Sequence, residues 1–212
     1  MRLVYSVRLL QEVSIPRSVE FFDTQFQKQV RASDYALNPF ERAIVPYLQG
    51  EVLDLGCGLG NLSLAAAQAG CSVTALDASP TGIADLSRRA GQLGVALDAR
   101  VVDLRRWTGN RQYDCVVSIG LLMFFACSDA RATLASLRDA VRPGGLAAVN
   151  VLVEGTTYMD MFDPHDYCLL GREELSEAFA GWQTLHSAHQ DFAAPGNTFK
   201  RFHTLVARRP AG

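Results

Sequence analysis

A run of ten residues, Val52–Asn61 (VLDLGCGLGN), constrains the fold of this chain more than any other stretch. Val52, Leu53 and Leu55 make a short buried-strand signal. Gly56, Gly58 and Gly60 break it, and Leu62, Leu64, Ala65 and Ala69 resume at helical spacing. The order is strand, glycine turn, helix. Glycine lets the turn take unusual φ values and lets a ligand approach with no Cβ in the way. The helix start offers unpaired N–H groups to an electron-rich ligand group. The turn reads GxGxG, and the third glycine of a dinucleotide-binding GxGxxG loop would fall at Asn61. Asp54, just ahead of the glycines, suits an ammonium or sulfonium group and repels a pyrophosphate. The next apolar run, Ser72–Leu76, closes on Asp77, 23 residues beyond Asp54, where such folds hold the two hydroxyls of a ribose.

The rest of the chain repeats this alternation. Val19, Phe22, Phe26 and Val30 predict a helix over 18–30, and Asn38-Pro39 starts another with Phe40, Ile44 and Tyr47 as its apolar stripe. Ser79-Pro80 caps a helix over 81–93 that Gly94 closes. Strands are predicted over 96–102 and, from the continuous apolar run DCVVSI, over 114–119. A helix over 128–141 follows, and Pro143-Gly144-Gly145 makes a tight turn into a strand over 146–153. Residues 154–170 are polar, aromatic and Met-bearing with no clean period, which reads as a lid or substrate loop over 154–171. A helix over 172–180 and two strands, 182–192 and 199–208, joined at Gly196-Asn197, complete the chain. Residues 3–7 are strand-like, and 1–34 form an N-terminal extension of one 212-residue domain. The expected fold is α/β, a doubly wound, Rossmann-like, mostly parallel seven-stranded sheet with helices on both faces and a C-terminal antiparallel hairpin. A ligand then lies at the strand carboxyl ends, where Asp54, Asp77, Asp103 and Ser118 all fall.

Composition excludes several classes. Hydrophobic residues at 49% and charged residues at 20% describe a globular chain, and a net charge of −2 favours no nucleic acid. No run approaches the ~20 apolar residues of a membrane span. The start lacks the continuous core and cleavage site of a signal peptide. The five cysteines (57, 71, 115, 127, 168) have no metal-ligand spacing, and their odd number argues against a complete disulfide framework, so a reducing cytoplasm is expected. No metal site and no obligate protein partner is readable.

LDLGCGLG, ALDAS, VVDL and the PGG turn together resemble the motifs of class I S-adenosylmethionine-dependent methyltransferases over about residues 35–209. RQYD at 111–114, LMFF at 122–125, ELSEAFAGW at 174–182 and KRFHTLVARR at 200–209 are similar to the tellurite-resistance methyltransferases. The resemblance implies S-adenosyl-L-methionine as cofactor, S-adenosyl-L-homocysteine as product, and a small-molecule acceptor such as a tellurium or selenium oxyanion. It also implies that Asp54, Gly56, Cys57 and Gly58 hold the methionine end, Asp77 and Ala78 the ribose, Asp103 and Leu104 the adenine, with Ser118 beside the methionine. His189 matches an active-site histidine of that family. Gln190 replaces the arginine beside it and Asn197 a second arginine, which removes positive charge from where an oxyanion would sit.

A soft anion needs no base to accept a methyl group, whereas a hydroxyl, phenol or amine does, and His189 has the pKa for it. His189 reads equally as a solvated hairpin histidine. Tyr35, Phe124, Tyr158, Met159 and Phe162 are the candidate substrate-pocket residues. The competing readings are a methyltransferase for a protic acceptor, a nucleic-acid or protein methyltransferase, a protein that binds the cofactor without transfer, and a nicotinamide oxidoreductase.

Overall fold

The computed structural model describes residues 17–212. The strand-like stretch at residues 3–7 lies outside the described residues. Seven strands form one sheet: β1 (Glu51–Leu55), β2 (Ser72–Asp77), β3 (Asp98–Val101), β4 (Tyr113–Ile119), β5 (Val141–Leu152), β6 (Gln183–Ala194) and β7 (Thr198–Arg208). Their order is β3-β2-β1-β4-β5-β7-β6. The first five pair in parallel, and β7 runs antiparallel to both β5 and β6.

The helices are α1 (Arg17–Ala32), α2 (Pro39–Ile44), α3 (Asn61–Gln68), α4 (Pro80–Leu93), α5 (Cys127–Asp139) and α6 (Glu174–Ala178). Local chemistry fixes their ends. Asn38 caps α2 in a full capping box with Glu41, Ser79 caps α4, and Gly94 ends α4 with φ 67°. The sheet is covered on both sides. Ile44 of α2, Leu62 and Leu64 of α3 and Leu86 of α4 pack on one face. Leu134 and Leu137 of α5 and Leu175 of α6 pack on the other.

Two expectations need correction. The PGG turn does not precede a separate strand. It sits within β5 as an irregularity, where Tyr113 pairs with Val141 but Cys115 pairs with Leu146, and Gly144 takes φ 79° to absorb the extra residues. Cys127 and Cys168 are joined by a disulfide, so the expectation of a fully reduced set fails. The partners lie 41 residues apart, and only the return of the chain after β5 brings them together. Cys57, Cys71 and Cys115 are free and buried. Among the described residues no helix is long and apolar enough to cross a membrane, and no three metal-ligating side chains converge.

Candidate active site

A cavity of about 410 Å³ opens at the carboxyl ends of the central strands. This lies in the ~300–1,000 Å³ range of small-molecule sites. Its floor is the turn between β1 and α3. Gly56, Gly58 and Gly60 there have φ of 81°, 55° and 69°, values that exclude most side chains. A Cβ on Gly58 would also meet the Phe26 ring at 2.9 Å.

Acidic groups dominate this end. Asp54 is 4% exposed and accepts a hydrogen bond from Ser63 Oγ at 2.6 Å. Burial pushes its carboxyl up to about 7 against the Ser63 bond, and the neighbouring Glu41 and Asp77 carboxylates push the same way. No cationic side chain pairs with Asp54 among the described residues. Asp77 accepts from Gly58 N–H and Ser79 N–H, both at 2.8 Å, and burial raises it despite these bonds. Glu41, on the same cavity, is likewise raised by burial. Burial and both aspartates push the Cys57 thiol well above its usual range, so it is no nucleophile at neutral pH. Asp103 caps the turn at Leu104–Arg106, and both Asp103 and Leu104 border the cavity.

The structure gathers Asp54, Gly56, Cys57, Gly58, Asp77, Ala78, Asp103, Leu104 and Phe124 around this one cavity. Other expected site residues lie elsewhere. Ser118 is fully buried and alternates with Val116 on the side of the sheet that α5 covers; its neighbour Ile119 lines the cavity. His189 is outside the cavity. Its ring stacks on His203 at 4.1 Å and Nε2 lies 3.0 Å from the Arg172 carbonyl oxygen. His203 belongs to the face of β7 that carries Leu205, whereas the cavity takes Lys200 and Phe202 from the opposite face. His189 therefore lies apart from the residues that line the cavity. Tyr35 packs on α4, with its hydroxyl 3.3 Å from Asp85 Oδ1 and Arg89 over its ring. Tyr158, Met159 and Phe162 pack in the cluster that also holds the lining residues Met123, Phe124 and Met161, without lining the cavity themselves.

Several lining residues escaped the sequence reading: Phe22 and Phe26 of α1, Glu41, Asn150, Lys200 and Phe202. Lys200 carried a usable signal, being one of two lysines in the chain.

This geometry suits S-adenosylmethionine: a buried, unpaired carboxylate awaits a cation beside a glycine turn, and a strand-end aspartate follows. Residues 52–145 match the family described as "Methyltransferase domain". The matched stretch runs from β1 to the PGG turn and takes in Asp54, the glycine turn, Asp77 and Asp103. It is 31% identical over 79% of its length to the malonyl-[acyl-carrier protein] O-methyltransferase of Pseudescherichia vulneris, covering 66% of that protein. It is 26% identical over 75% of its length to the probable S-adenosyl-L-methionine-dependent methyltransferase TehB of Haemophilus influenzae, covering 57% of it. The crystal structure of TehB from Haemophilus influenzae superposes with a TM-score of 0.72 at 20% identity, over 91% of this chain and 67% of that one. The chain thus spans 42–66% of the length of these and the other curated relatives compared with it.

Proposed function

We propose that this chain is a methyltransferase that moves the methyl group of S-adenosyl-L-methionine to a small organic acceptor. The observation that carries the reading is Asp54, a buried carboxylate with no cationic partner among the described residues, set beside the glycine turn that floors the cavity. The cofactor's ammonium group supplies the missing charge. In this reading Asp54, Gly56, Cys57 and Gly58 hold the methionine end, Asp77 and Ala78 the ribose, and Asp103 with Leu104 the adenine.

When bound, the cofactor supplies a methyl group already activated on a sulfonium. The chain's task is then alignment and exclusion of water. Phe22, Phe26, Phe124 and Phe202 wall the cavity and keep water from the reacting centre. Glu41, which borders the cavity, is the carboxylate this reading gives the proton of a protic acceptor.

The charge balance favours an organic acceptor over a tellurium or selenium oxyanion. Glu41, Asp54, Asp77 and Asp103 face the cavity, against Lys200 and an Arg105 already paired with Asp166. With Asp54 matched by the cofactor's ammonium, Glu41, Asp77 and Asp103 still outnumber Lys200, so a doubly charged oxyanion is poorly balanced there. The test is transfer of a labelled methyl group to tellurite, selenite, thiols, phenols and amines. Transfer to phenols, thiols or amines in preference to the oxyanions supports the reading, and preferential methylation of tellurite or selenite contradicts its organic-acceptor half.

A further inference from the structure

One wall of the cavity is built from paired strands and its chemistry changes along its length. Asn150 on β5 pairs with Thr204 on β7, and Leu152 pairs with Phe202. Lys200 follows two residues further along the same face of β7, and Asn150, Leu152, Phe202 and Lys200 all line the cavity. At ~3.3 Å per residue, the step from Thr204 to Lys200 is about 13 Å.

The inner end is polar and incomplete. Asn150 is 1% exposed, and its Nδ2 donates to Thr204 Oγ1 at 2.9 Å. Its Oδ1 is buried with no hydrogen-bond partner. A buried carbonyl oxygen left without a donor is costly, so a donor from a bound molecule is favourable there. This end also adjoins the cofactor side. Ile119 pairs with Asn150, Gly120 N–H donates to the Asn150 carbonyl at 3.0 Å, and a Cβ on Gly56 would meet Leu121 at 3.0 Å.

The middle is apolar and aromatic. Phe202 packs on Phe40 at 4.7 Å between centroids. At the outer end Lys200 Nζ lies 4.8 Å from the Tyr158 ring centroid, and among the described residues no carboxylate pairs with it. Partial burial lowers its affinity for the proton, which an anion beside it would restore.

Resting on the methyltransferase reading, we propose that the acceptor is a flat, apolar molecule with an O–H or N–H at one end, donated to Asn150 Oδ1, and an anionic group at the other, held by Lys200. Hydroxyarene carboxylic acids are this class. Their length matches the wall, and their single charge meets Lys200, which lines the cavity and has no carboxylate partner among the described residues.

The test is calorimetric titration of protein saturated with S-adenosylhomocysteine. The probes are 4-hydroxycinnamate, cinnamate, which lacks the hydroxyl, and 4-hydroxycinnamyl alcohol, which lacks the charge. The expected result is that 4-hydroxycinnamate binds at least about tenfold more tightly than either, each comparison reading one lost interaction of ~1.4 kcal/mol or more. Lys200→Gln removes the preference over the alcohol, and Asn150→Leu removes the preference over cinnamate. Equal affinity for the three probes, no binding of any, or a Lys200→Gln loss as large for the alcohol as for the acid overturns the proposal. Should Asn150→Leu fail to fold, the three-probe comparison on the unaltered protein decides alone. Failure of S-adenosylhomocysteine itself to bind is a separate outcome, which removes the methyltransferase reading and this inference with it.

Discussion

Asp54 is the residue on which the site's electrostatics turn. Its carboxyl sits at about 7 in the folded chain because burial penalises the charged form. In an unfolded chain an aspartate titrates near ~3.9. The folded state therefore holds this proton more tightly, and the stability from this group is full below about pH 4 and is lost as pH rises through about 7. A ligand with an ammonium group prefers the ionised carboxylate, so its stabilising effect grows over the same window. The thermal shift produced by saturating S-adenosylhomocysteine is expected to be larger at pH 8 than at pH 6, and Asp54→Asn to flatten that difference. A shift independent of pH in the unaltered protein contradicts this role. Asp54, Asp77 and Asp103 were legible in the sequence because each lies within two residues of a strand's carboxyl end, and strand ends in such a sheet converge. Ser118 itself is off the cavity lining, and its neighbour Ile119 is on it. Both faces of β4 are buried, so its run YDCVVSI gives no sign of which side chains face the cavity.

At the scale of elements, α1 is the part whose purpose the sequence did not disclose. Its Phe22, Phe26 and Val19 stripe predicts a helix and does form one, yet no residue of α1 is fully buried. The stripe faces the cavity, and the helix is fastened by Asp23, which accepts from Ser79 Oγ at 2.5 Å and from Thr81 Oγ1 at 2.9 Å. A helix whose apolar face borders a cavity gains contacts when a ligand fills it. Backbone amides of residues 19–30 are expected to exchange fast in the free protein and to slow on addition of S-adenosylhomocysteine, as read by hydrogen exchange. Asp23→Ala should shrink that protection. Equal exchange with and without ligand, at saturation, contradicts a covering role for α1. Helices α3 and α4 were readable almost to the residue because glycines and a serine–proline cap mark their ends. The element that covers the site carries no such punctuation linking it to the glycine turn.

The whole molecule is held by two cores on either side of the sheet and by one covalent tie. The Cys127–Cys168 disulfide joins the start of α5 to the irregular segment after β5, and Cys168 N–H donates to the carbonyl of Met123, which lines the cavity. Closing a loop of this length is worth about 2–4 kcal/mol against the unfolded chain. Reduction, or Cys127→Ala, is expected to lower the denaturation midpoint correspondingly, and identical unfolding curves with and without reductant contradict the tie. The alternating order of strands and helices was legible throughout, since each element repeats a local pattern. The disulfide, the Asn150–Thr204 pair and the wall ending at Lys200 were not, because each depends on how β5, β7 and the segment between them fold back together. The central claim is that the cavity at the strand ends binds S-adenosylmethionine. Calorimetric titration of the purified protein with S-adenosylmethionine, S-adenosylhomocysteine and NADH tests it most directly. Micromolar binding of both adenosyl compounds with none of NADH is the result expected, and binding of NADH, or of neither adenosyl compound, contradicts the account.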